Sequence, residues 1–137
     1  QELGYYLMTP NKGGTPKCER IQCDLATKGV LDRISLSPSE NKVCFEFQTG
    51  FDSDVPGRTL YVADFDANQP AITAARPFAN EDGNSIWYAY PRWSKDESAI
   101  IYQAGEKLYL YNLTNKSTTK VSITDSADDP HMKRAPK

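Results

Sequence analysis

The chain says the same thing twice. Ile34-Ser35-Leu36-Ser37-Pro38-Ser39-Glu40, followed by Val43-Cys44-Phe45, matches Pro91-Arg92-Trp93-Ser94-Lys95-Asp96-Glu97, followed by Ile100-Ile101-Tyr102. Each copy is trailed by a second matching run, Leu60-Tyr61-Val62-Ala63-Asp64-Phe65 in the first and Leu108-Tyr109-Leu110-Tyr111-Asn112-Leu113 in the second. A repeat on this scale constrains the architecture before any single residue does, because each unit buries its apolar face by stacking on its neighbour.

The pattern inside the repeat is that of strands. Apolar residues alternate or cluster over short stretches, and turn residues interrupt them often. Strands are expected over residues 4–9, 20–25, 34–37, 42–48, 59–66 and 71–75, then 87–94 leading into 99–103, and finally 107–113 and 118–123. A helical period is absent. Asp24, Asp64 and Asn112 fall at equivalent places in the pattern. A four-stranded unit recurring every roughly 40–50 residues is the blade of a β-propeller. The Asp or Asn at each third strand is expected to cap a turn by bonding backbone N–H groups.

The run from Pro91 to Tyr102 resembles the repeat of TolB-type propellers, in which an inner strand ends in Pro-x-Trp-Ser-Pro-Asp-Gly-Lys and an apolar strand follows. The run from Ser37 to Phe45 is a weaker copy, and Asp129-Pro130-His131-Met132-Lys133 is similar to the opening of another. Glu40 and Glu97 stand where the family usually has Gly, so these turns are expected to run with negative φ. The motif's physics is that of a scaffold. The Trp or Leu packs between blades, and Ser37, Ser94 and Asp96 satisfy backbone groups at the tip rather than act in catalysis.

The resemblance implies an all-β chain of about three four-stranded blades, over residues 4–33, 34–76 and 87–123, with a further inner strand beginning near 129–135. Propellers close with four to eight blades. Three blades would leave faces and edges open, so a homodimer through blade edges, closing a six-bladed ring, is expected, or else membership of a longer chain. The family analogy further implies a periplasmic or otherwise extracytoplasmic binding scaffold, for another protein or a small ligand, from which a signal peptide has been removed.

Composition excludes several classes. The formal net charge of −2 offers no basic field for a nucleic-acid backbone. No apolar run reaches the roughly 20 residues of a membrane span. The lone His131 and the lack of a Gly-x-Ser-x-Gly elbow argue against an enzyme. The other function considered is the propeller part of a larger carbohydrate- or peptide-processing enzyme. Trp87, Tyr88 and Tyr90, just ahead of the clearest motif, are the candidate ligand platform. No cofactor is expected, although calcium on Asp125, Asp128 and Asp129 is the metal site the carboxylates suggest. Cys23 and Cys44 read as small buried hydrophobes, with a Cys18–Cys23 or Cys23–Cys44 bridge as the other reading.

Overall fold

The computed structural model of the chain describes residues 4–49, 58–79 and 89–122. Within them the protein is all-β. The strands are β1 (Tyr6–Thr9), β2 (Lys17–Arg20), β3 (Gln22–Cys23), β4 (Gly29–Leu36), β5 (Lys42–Thr49), β6 (Arg58–Asp66), β7 (Ala71–Ala79), β8 (Arg92–Trp93), β9 (Ala99–Ala104), β10 (Lys107–Asn112) and β11 (Ser117–Val121), with a 3₁₀ turn at Asp24–Thr27. They form a hairpin β1-β2, a central sheet ordered β3-β7-β6-β5-β4, and a last sheet ordered β11-β10-β9-β8. Pairing is antiparallel except where β3 lies parallel to β7.

The central sheet is covered on both faces, and β5 shows why. Val43, Cys44, Phe45, Glu46 and Phe47 are all buried, so the strand does not alternate between core and solvent. Val43, Phe45 and Phe47 join Leu31, Ala63, Phe65 and Ile72 in one core, capped by Tyr5 and Leu7 of the N-terminal segment. Tyr61 stacks on Phe45 with ring centroids 5.7 Å apart. Cys44 points the other way and packs with Val62 and Ile100, against Trp93 and Leu113 of the last sheet. Beside it, Phe78 of β7 reaches between Tyr102 and Tyr111, with centroids at 5.9 and 4.6 Å. The hairpin runs on into the sheet edge at β3 and curls over one face of the central sheet, and the last sheet packs on the other, giving three layers among the described residues. The hairpin is only two strands wide, and Ile34 and Leu36 on β4 remain partly exposed.

The sequence repeat is reproduced hydrogen bond for hydrogen bond. Ser37 N donates to Lys42 O and Ser94 N to Ala99 O, while Glu40 N donates to Ser37 O and Glu97 N to Ser94 O. The serine hydroxyls close the same turns, accepting from Lys42 N at 3.1 Å and from Ala99 N at 3.0 Å. Phe65 N donates to Asn41 O and Leu113 N to Ser98 O, which places Asp64 and Asn112 at equivalent rungs. Pairing of Val43 with Ala63 and of Ile100 with Tyr111 keeps the same register.

Several details differ from the sequence-based expectations. Glu40 and Glu97 take φ of 64° and 63°, so the tip is the glycine-type turn with a glutamate forced into it, and negative φ is wrong. The capping role splits: Asn112 Oδ1 does accept from Thr114 N and Asn115 N, but in the first copy the cap is Asp66, because β6 runs two residues further. Asp64 instead meets Lys42 Nζ at 3.2 Å. β4 spans Gly29–Leu36, twice the expected length, and a bulge between Asp32 and Ser35 breaks its register. β7 continues through Pro77, where register shifts against β6 accommodate a residue that cannot donate. Cys23 and Cys44 face opposite sides of the central sheet, so no bridge joins them, and all three cysteines are free thiols. The further strand near 129–135 lies outside the described residues.

The tips generate three predictions. Glu40 makes an exposed left-handed turn with no other duty, so Glu40→Gly should stabilise the chain by roughly 0.5–1 kcal/mol in urea unfolding. Glu97→Gly should gain less or lose, because Glu97 also clasps Ser39 through its carboxylate. Asp96 Oδ1 accepts from the Ser98 hydroxyl, Ser98 N and the Ser94 hydroxyl, which lowers its carboxyl from 3.8 to about 2. Its stabilising effect is therefore present above about pH 4 and lost as pH falls through about 2. Urea unfolding of wild type and Asp96→Asn should show a gap at pH 7 that closes across that window.

Candidate functional site

The two sheets are joined around one carboxylate. Glu46 sits in mid-β5, fully buried, on the face turned toward the last sheet. Its Oε2 accepts from Ala89 N at 2.9 Å and Tyr90 N at 3.3 Å, the residues that lead into β8. Arg33 Nε lies 3.5 Å from the same oxygen. Arg58 Nη1 donates to Glu46 Oε1 at 3.3 Å and to Asp32 Oδ2 at 3.1 Å, and Nη2 donates to Gln48 Oε1 at 2.9 Å. A carboxylate out of water needs this many donors, since one lost partner leaves a buried charge uncompensated.

Local backbone geometry builds the cluster. The β4 bulge follows Asp32, and Arg33 takes φ of 50° within it, which turns its side chain onto the Glu46 side of the sheet. Tyr90 also takes a left-handed φ, of 48°. The Arg33 guanidinium lies 4.9 Å from the centre of the Tyr90 ring, in cation–π range. Desolvation works against the Arg33 charge, but the Tyr90 hydroxyl and the Glu46 carboxylate outweigh it and raise the group above its ordinary range. Tyr90 itself is about half exposed, at 49%. Two residues with left-handed φ meet at one charge cluster beside a half-exposed aromatic ring, and this makes the cluster the candidate site.

Two further contacts run along the same seam. Trp93 Nε1 donates to Ser35 O at 2.9 Å. At the tip, Ser39 N and its hydroxyl donate to the two oxygens of Glu97 at 2.6 and 2.9 Å. Ala89 is held from both sides, its N–H on Glu46 and its carbonyl accepting from Gln103 N at 2.9 Å.

Of the platform expected from sequence, Tyr90 takes its place in this cluster, whereas Trp87 and Tyr88 lie outside the described residues. Asp125, Asp128 and Asp129, and with them the calcium site, also lie outside. Among the described residues no group of three His, Cys, Asp or Glu side chains is placed to hold a metal ion. Asp32, Arg33, Glu46 and Arg58 were not singled out by sequence. One signal was there to read: Glu46 is a charge inside the apolar run Val43–Phe47, and a buried charge is the informative exception.

Replacing Glu46 by Ala removes one acceptor from each of two guanidinium groups and from two backbone N–H groups. The expected loss is about 3–5 kcal/mol in chemical denaturation. Burial also pushes the Cys44 thiol up to about 12, so a maleimide at pH 7 should label exposed Cys18 in the native chain and reach Cys44 only on unfolding.

No family model, curated protein or solved structure matches this chain.

Proposed function

We propose that this chain is a non-catalytic, TolB-like β-propeller segment of about three blades, serving as a binding scaffold in the bacterial cell envelope. The observation that carries the proposal is the bond-for-bond repetition of the two tips in sheets that stack face to face. Inner strands in such a stack line a channel, and ligands are met where the loops at the channel mouth converge. On this reading Tyr90 and Arg33, held together and backed by Glu46 and Arg58, are the residues at that mouth. A half-exposed ring braced by a guanidinium suits stacking on a sugar or on a peptide side chain. Placement in the cell envelope rests on family analogy alone.

A second reading makes the chain the propeller part of a larger carbohydrate- or peptide-processing enzyme. Among the described residues the first layer is two strands wide, against five and four in the others, and this is what favours it.

Titration of the isotope-labelled chain with oligosaccharide and peptide panels, followed by NMR, tests the proposal. Saturable shifts are expected at the Tyr90 and Arg33 amides, lost in Tyr90→Ala, with every added compound recovered unchanged. Turnover of any compound, or shifts confined to other surfaces, contradicts it.

A further inference from the structure

We infer that the face of the last sheet left open by the described residues docks onto the N-terminal hairpin of a second copy of this chain, so that two chains close head to tail. The inference rests on the stacked-repeat reading above and goes beyond it by naming the two faces.

The three layers pack in one sense throughout. The hairpin presents Tyr5 and Leu7 to the Val43, Phe45 and Phe47 face of the central sheet. The central sheet presents Cys44, Leu60 and Val62 to the Ile100, Tyr102 and Tyr111 face of the last sheet. The repeat register puts Ile101, Leu108 and Leu110 of the last sheet where Cys44, Leu60 and Val62 stand in the central one. The last sheet therefore offers outward the same positions that the central sheet uses to hold it. Gln103 stands where Glu46 does and keeps an acceptor oxygen there. Ile101 is 39% exposed, and Leu108, Leu110 and Val121 are half-buried.

A face of this kind is covered, within the chain, by one carrying the positions of Val43 and Phe45. Among the described residues Leu36, paired with Val43, leaves part of that face itself open, and the most exposed apolar pair lies on the outer side of the hairpin. There Tyr6 and Met8 are 56% and 62% exposed, paired across the hairpin with Arg20 and Cys18. Strand alternation turns them away from Tyr5 and Leu7. One chain thus carries both halves of a head-to-tail contact. Such a contact forms a ring if its rotation closes and a filament if it does not. Two chains of three layers give a ring of six, inside the range in which propellers close. The contact is between sheet faces, not between strand edges.

The test is solution mass by light scattering over a dilution series, on wild type, Leu110→Glu, Met8→Lys and an equimolar mixture of the two variants. Wild type should run at twice the 15.3 kDa chain mass. Each variant alone should fall to the monomer mass with its β circular dichroism retained. The mixture should return to the dimer mass, since it restores one unaltered contact and makes the other a Glu–Lys pair. Met8 is so exposed that its variant serves as the fold-neutral check on Leu110→Glu. A wild-type monomer, a mass that keeps growing with concentration, or a dimer indifferent to either substitution would overturn the inference. A folded monomer would sink the pairing and leave the stacked-repeat reading standing. Loss of the ligand response at Tyr90 would sink that reading without moving the mass.

Discussion

Burial of the Glu46 carboxylate is the constraint on which the rest of this structure depends. Desolvating such a group costs several kcal/mol before any partner is counted. The cost is offset by donors drawn from three separate places: Arg33 on the β4 bulge, Arg58 at the start of β6, and the backbone N–H groups of Ala89 and Tyr90 ahead of the last sheet. No apolar residue at this position could make those demands. Apolar packing of Phe78, Tyr102 and Tyr111 is non-directional and tolerates sliding. The carboxylate does not, and it fixes the register between the two sheets as well as their contact.

The same seam is closed at two other heights by groups that also report on register. An indole N–H reaches the Ser35 carbonyl in the middle, and the Glu97 carboxylate takes two donors from Ser39 at the tip. Glu97 explains why a left-handed glutamate is tolerated where glycine would cost nothing: its backbone is strained, but its side chain bridges the two copies of the repeat. Glu40 sits in the same strained turn, and no cross-sheet bond of that kind explains its presence there. Identical backbone geometry therefore carries different duties in the two copies.

Much of the fold was legible because it follows from local chemistry. The strands β5, β6, β9 and β10, the equivalence of Leu60–Phe65 with Leu108–Leu113, and the tip serines could be read from alternation and spacing, whereas the strand expected over 20–25 is split between β2, β3 and a 3₁₀ turn. What could not be read depended on contacts between distant segments. The positive φ of Glu40 and Glu97 is imposed by the bonds from Ser37 and Ser94, against the residue's own preference. The expected strand stops at residue 75, yet register shifts carry β7 through Pro77 to place Phe78 in the core. At the site, Tyr90 was legible as an aromatic ahead of a motif. Its partners were not, because Arg33 is brought in by a bulge and Arg58 lies just ahead of the strand expected from residue 59.

Amide hydrogen exchange at Ala89 tests the central claim most directly. Ala89 precedes β8, so without Glu46 its N–H would be that of a loop and would exchange quickly. If the buried carboxylate fastens the two sheets, that amide should be protected to the same degree as those of β5, and Glu46→Ala should release it while the β9-β10 amides stay slow. Rapid exchange at Ala89 in the wild-type chain, with β5 and β9 both protected, would contradict the account.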